Sequence, residues 1–150
     1  MKIRHATLLD TSSLLVMLNT MHQEPEHKLD QVDWVKVTHT VVDCIGKNFV
    51  LIAETDEAQF AGSIGGAIST EWYSSTPLLG DYWYYVLPEH RASPAAFQLM
   101  KQYEKLTELN VKVGHVMGED IDRKDNMFEK LGFFKSGSLY RKDQANGRSM

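Results

Sequence analysis

Apolar residues recur along this chain with two periods, and each change of period marks a new element. Residues 2–7 alternate with a period of two and predict a first strand. From Asp10, expected as a helix cap, Leu14, Leu15, Met17, Leu18 and Met21 fall on one helical face, and Pro25 breaks the run. Trp34, Val37, Val41 and Ile45 repeat at helical spacing and predict a second helix from about Asp30, with Gly46 as its stop. "NFVLIAETD" predicts a strand, and "AQFAGSIGGAIST" its hairpin partner across the acidic turn Asp56-Glu57. The loop "EWYSSTPLLG" leads to an aromatic strand from Asp81 to Leu87. A two-residue period puts Tyr82 and Tyr84 on one face of it and Trp83 and Tyr85 on the other. One pair is expected in the core and the other along a groove.

Ser93 followed by Pro94 is a strong helix start, a side-chain oxygen at the cap and then a proline. Ala96, Leu99, Met100, Tyr103 and Leu106 face one side of that helix. "VKVGHVM" predicts a strand, Asp122 a cap for a short helix ending at Leu131-Gly132, and "FFKSGSLYRK" a last strand. Residues 143–150 are polar and expected to be disordered, which leaves 1–142 as a single domain. The order β-α-α-β-β-β-α-β-α-β implies an α/β domain. Its sheet is mixed, antiparallel in the first half and parallel around the long helix, with helices flanking it.

Composition narrows the partners. The chain has 150 residues and a formal net charge of −4, without a long basic run, so nucleic acid is not the expected partner. No apolar run approaches the ~20 residues of a membrane span. The N-terminal "MKIRHATLLD" has no apolar core of signal-peptide length, and a single cysteine excludes an internal disulfide. A cytoplasmic protein is expected. The histidines show no metal-ligand spacing, and "GEDIDRKDN" lacks the oxygen ligands and central glycine of a calcium loop, so no metal is expected. Cys44 has no neighbouring base in sequence and is expected to be buried and inert.

The most informative stretch is "YYVLPEHRASPAAFQLM", residues 84–100. It passes from strand to helix through a short polar turn, and the first N–H groups of a helix have no partner within the helix. Together with the later "MFEKLGFF", it resembles the GNAT superfamily of acyl-CoA-dependent N-acyltransferases, and small phage and bacterial members in particular. The first segment is similar to that family's strand ending in Val-x-Pro followed by Arg/Gln-x-x-Gly-x-Gly/Ala. The second is similar to its late helix ending in Tyr-x-x-x-Gly-Phe. The element order matches over roughly residues 2–142.

The resemblance implies that two strands diverge to admit the pantetheine arm of acetyl-CoA, the acyl donor. Val86 and Leu87 would offer it backbone groups. Arg91, Ala92, Ser93, Ala95 and Ala96 would surround the pyrophosphate, and Asn126 and Phe128 on the late helix would lie beside the coenzyme. Pro94 stands in the slot of the motif's first glycine and removes one N–H donor, a contribution of roughly 1.5–3 kcal/mol where the donor matters. Proline's fixed φ and the Arg91 charge offset that loss.

For catalysis, the family's reaction is direct attack of an amine on the thioester. It calls for an oxyanion donor, expected as an N–H around Val86 or Leu87. The family's acid is the Tyr of Tyr-x-x-x-Gly-Phe, but here that position is Phe128, and Ile121 stands where an asparagine is common. Tyr140 is the candidate substitute hydroxyl. Asp81 and Glu71 bracket the strand entry as candidate carboxylate bases, acting through water, or else Asp81 punctuates a Gly-Asp turn. Glu71, Trp72 and Tyr84 are candidates for the acceptor groove.

The implied function is an N-acetyltransferase acting on a primary amine of a small molecule or protein. Phe128, Ile121 and Pro94 keep open an alternative, a GNAT-fold protein that binds acyl-CoA or a protein partner without turnover. Expected partners are acetyl-CoA and an amine acceptor, with a homodimer as one option.

Overall fold

The computed structural model describes residues 1–24, 30–114, 121–137 and 140–144. At its centre is a five-stranded sheet in the order β1-β2-β3-β4-β5. The strands are β1 Lys2–His5, β2 Val50–Glu54, β3 Phe60–Ser69, β4 Leu78–Val86 and β5 Asn110–Lys112. β1 to β4 pair antiparallel in sequence, and β5 joins β4 in parallel. This is the mixed α/β sheet expected from the order of elements.

Helices cover both faces. α1 (Thr11–Gln23) and α2 (Trp34–Gly46) bring Leu14, Met17, Val41 and Cys44 against Val50, Ile52, Trp83 and Tyr85. On the opposite face α3 (Ala95–Tyr103) packs Leu99, Met100 and Tyr103 against Leu51, Ala53, Ile64 and Leu79. Phe128 of α4 (Ile121–Lys130) joins that second cluster. β2 therefore reads as an unbroken apolar run, because both of its faces are covered. Burial pushes the Cys44 thiol up to about 11, so it stays protonated as core.

Local chemistry moves several predicted boundaries. Asp10 does not cap α1 with its side chain. Its carboxylate turns back to accept the Thr7 N–H at 2.7 Å and two guanidinium bonds from Arg4 at 2.8 Å each. Those bonds hold the Asp10 carboxyl below its ordinary range and tie the first helical turn to β1. α2 begins at Trp34, later than expected, because Asp33 caps it by accepting the Lys36 N–H at 3.1 Å. Gly46 is the last helical residue, and Asn48, at φ 65°, makes the left-handed turn instead.

β4 begins at Leu78, so Asp81 lies inside a strand and does not punctuate a Gly-Asp turn. β5 has only three residues, and residues 115–117 of its predicted extent lie outside the described residues. The predicted last strand is not formed at 133–137 or 140–142, and 138–139 lie outside the described residues. Phe133 there packs on Phe128 instead, at 5.4 Å between ring centroids, while Phe134 is exposed. The tail beyond Gln144 also lies outside the described residues.

One irregularity positions the site. Gly65 pairs with Trp83 but Gly66 pairs with Asp81, so Tyr82 is an extra residue bulged out of β4. The bulge reverses the facing of the strand. Leu79 before it and Val86 after it both pack toward α3, although seven residues apart, while Trp83 and Tyr85 face α1 and α2. Tyr82 itself is 52% exposed. Close approach at this point requires glycine on β3. A Cβ on Gly66 would lie 2.0 Å from the Gly80 carbonyl oxygen and 2.6 Å from the Tyr103 hydroxyl.

Candidate functional site

The parallel ladder between β4 and β5 is short. Leu78, Leu79 and Gly80 pair with Asn110, Val111 and Lys112, and among the described residues the pairing stops there, with Val113 and Gly114 outside the ladder. Beyond Gly80 the strands fork. Asp81 stands at the root of the fork, 7% exposed, and its Oδ1 accepts the Gly114 N–H at 2.9 Å. A side chain thus takes the place of the next ladder bond. Behind it, the buried Tyr103 hydroxyl donates to the Gly80 carbonyl at 2.7 Å and fixes the last paired residue.

Past the fork, one edge of β4 is unpaired among the described residues. The Leu87 N–H donates to the Ala61 carbonyl at 2.9 Å, which directs Leu87 toward β3. Antiparallel alternation then turns the N–H and C=O of Tyr84 and Val86 toward the open side. The Val86 carbonyl accepts the Arg91 Nε–H there at 3.1 Å.

The strand runs into a short 3-10 turn, Pro88–His90, and then into α3. Several N–H groups of this connection are already committed: His90 to Leu87, Arg91 to Pro88 and Ser93 to His90. Ser93 Oγ accepts the Ala95 N–H at 3.3 Å, and the Pro94 carbonyl accepts from Gln98 at 3.0 Å. Pro94 therefore sits at the cap position, one residue earlier than expected. The N–H groups of Ala92, Ala96 and Phe97 find no acceptor among the described residues.

Tyr84, from β4, closes the floor between α3 and α4. Its hydroxyl donates to the Ala96 carbonyl and lies 3.8 Å from Met127 Sδ. Its ring meets Phe128 edge-on at 6.2 Å. Burial, and then the Asp81 charge, pushes the Tyr84 phenol well above its ordinary value, so it remains a neutral donor.

The chain as a whole superposes on several solved structures. An aminoglycoside 6'-N-acetyltransferase, AAC(6')-IG from Acinetobacter haemolyticus, superposes with a TM-score of 0.66 at 20% identity, covering 96% of this chain and 98% of that one. The fold is that of the GNAT acetyltransferases. A ribosomal-protein-alanine N-acetyltransferase from Brucella melitensis gives a TM-score of 0.68 at 18% identity over 91% of this chain and 86% of its own. AAC(6')-Iy, in complex with a bisubstrate analogue joining CoA to acetylneamine, gives 0.66 at 15% identity over 95% and 98%. No family model matches the sequence, and no curated protein matches it.

Within this GNAT fold the predicted residues scatter more than the motif implies. Val86 turns its N–H toward the fork, and the Ala92 and Ala96 N–H groups at the helix start find no acceptor among the described residues. Leu87 does not, since β3 takes its N–H. Arg91 does not face the helix start: it folds back over the Tyr85 ring, 5.3 Å from its centroid, and pairs with Glu24. Ser93 and Ala95 are joined to each other. Phe128 packs against Tyr84, and Asn126 is exposed on α4. Tyr84 is floor rather than open groove wall.

Glu71 pairs with Lys112 at 2.6 Å, which anchors the β3–β4 loop at the last ladder position. Trp72 and Tyr73 beyond it are 93% and 71% exposed. Tyr140 is 94% exposed, beside an Arg141 that pairs with Asp30 at 2.7 Å, so its hydroxyl points into solvent. Among the described residues no three His, Cys, Asp or Glu converge as for a metal, and no helix is long and apolar enough to cross a membrane.

Sequence reasoning missed three participants. Gly114 carries only a backbone N–H to the clamp, and Glu24 reaches Arg91 from 67 residues away. Tyr103 reads in sequence as one more apolar face position.

Proposed function

We propose that this chain transfers an acetyl group from acetyl-CoA to a primary amine. The observation that carries the proposal is the fork itself. Among the described residues no strand pairs with the β4 edge at Tyr84 and Val86, where the Arg91 side chain sits on the Val86 carbonyl, and the Ala96 and Phe97 N–H groups of the helix that follows find no acceptor. An extended, amide-bearing pantetheine arm can add to such an edge as a short strand. The diphosphate then reaches the start of α3, where free N–H groups and the helix dipole favour an anion. The residues present fit both parts of acetyl-CoA.

In this reading the outward N–H of Tyr84 or Val86 holds the thioester oxygen as negative charge develops on it. Asp81 keeps the fork at a fixed width by holding Gly114. Its charge at the root of the cleft also favours a cationic acceptor, and the exposed Trp72 and Tyr73 flank the approach. Water takes the amine proton, and the CoA thiolate leaves without a tyrosine, since Phe128 has no hydroxyl and Tyr140 is remote.

That missing hydroxyl favours one further reading, acyl-CoA binding without turnover. Calorimetric titration with acetyl-CoA, followed by an assay of free CoA release over a panel of amines, tests both. Binding with amine-dependent release supports the enzyme. Binding with no release across the panel supports the non-catalytic binder. No binding refutes both.

A further inference from the structure

The open edge of β4 is not wholly open, because the Arg91 Nε–H sits on the outward Val86 carbonyl at 3.1 Å. Two contacts hold it there, and a third steadies its partner. The guanidinium pairs with Glu24, the residue after α1, and lies 5.3 Å over the Tyr85 ring. The Tyr85 hydroxyl donates to the same Glu24 carboxylate. Glu24 is well covered, with 14% of its side chain exposed, whereas Arg91 is 44% exposed. The carboxylate is the fixed end of the pair and the guanidinium the movable one. Glu24 lies on the α1–α2 side of the sheet, and the Val86 carbonyl faces the fork, so Arg91 bridges the two across the end of β4.

We propose that Glu24 gates the coenzyme edge, acting through Arg91 as a latch on the Val86 carbonyl. This rests on the reading that an amide-bearing arm adds to the β4 edge. Such an arm needs the Val86 carbonyl as an acceptor, and in the latched arrangement the arginine already holds it. Binding therefore requires Arg91 to leave Val86. Once released, its charge is one short turn from the start of α3, where the diphosphate sits. Glu24 sets the cost of release, and ties the end of α1 to the state of the coenzyme edge.

Glu24→Gln tests this cleanly, because the amide oxygen still accepts from Tyr85 while the charge facing Arg91 is gone. An ion pair this exposed contributes modestly, so calorimetry on the full chain is expected to show CoA binding about two- to five-fold tighter in Glu24→Gln. In an Arg91→Ala background the same substitution should change the affinity by less than about 1.5-fold, since the latch is already absent. Equal or weaker binding in Glu24→Gln, or a gain that persists without Arg91, overturns the proposal.

A second readout needs no ligand. In nitrogen-edited NMR spectra of the free protein the Arg91 Nε–H should exchange slowly with water, and Glu24→Gln should make it exchange several-fold faster. Fast exchange in the unsubstituted protein refutes the latch by itself. If CoA binds to none of these proteins, the acetyltransferase reading fails and the coenzyme gate fails with it; if CoA binds but neither its affinity nor the Arg91 Nε–H exchange responds to Glu24→Gln, the reading stands and the latch alone is refuted.

Discussion

Replacing Asp81 tests how the fork is held. Its carboxylate is almost fully buried and accepts the Gly114 N–H at 2.9 Å, where the β4–β5 ladder has just ended. A hydrogen bond to a charged group contributes roughly 1.5–3 kcal/mol. Gly114 is exposed, so water can replace part of that bond, and removing a buried charge recovers some desolvation. The lower end of the range therefore applies, and Asp81→Ala should cost about 1.5 kcal/mol. For a chain of this size that is a fall in Tm of about 3–6 °C, read by circular dichroism.

Asp81→Asn keeps an acceptor oxygen and should cost under about 1 kcal/mol. It removes the negative charge that, after burial, raises the Tyr84 and Tyr103 phenols. Their alkaline titration, followed by phenolate absorbance, should therefore move to lower pH in both variants. An Asp81→Ala protein as stable as the parent, with unmoved phenols, would refute the clamp.

Gly66→Ala places a methyl 2.0 Å from the Gly80 carbonyl oxygen, where backbone must shift; denaturant unfolding should show a loss of about 3 kcal/mol, and a neutral result would contradict the close approach at the bulge. Tyr84 and Tyr103 keep their protons in the folded chain above the pH, near ~10, at which an unfolded tyrosine releases its own. The stability this implies is fully present below that pH and is lost as pH rises beyond it, so Tm should fall steeply above pH ~10, and less so in a Tyr84→Phe, Tyr103→Phe double variant. Ala96→Glu sets a carboxylate at the helix start proposed for the diphosphate; the protein should fold while its CoA affinity drops at least about ten-fold, and unchanged affinity would put the site elsewhere.

How far the sequence could be read depended on the range of the interactions involved. Ser93-Pro94 marked the start of α3 to within a residue, because a cap and a proline act locally. The Val-x-Pro segment located the strand end that leads into it. The Tyr82 bulge left no mark in "DYWYYV", since every residue there suits a strand and only the pairing with β3 shows the extra one. Leu79 and Val86 therefore share a face that strict alternation denies them. Arg91 reads as an anion ligand from its motif, yet its position is set by Glu24, distant in sequence. The last strand failed for a related reason: "FFKSGSLYRK" has strand-like residues, but Phe133 is held by Phe128 and packs as a plug beneath α4.

Everything proposed for this chain depends on the β4 edge at Tyr84 and Val86 receiving the coenzyme. Amide hydrogen exchange, measured residue by residue with and without CoA, tests it most directly. CoA is expected to slow exchange at Tyr84, Val86, Ala96 and Phe97 together. Protection confined to another surface, such as the groove between β1 and α3 lined by Met1, Ile3 and Lys101, or no protection under saturating CoA, would contradict it.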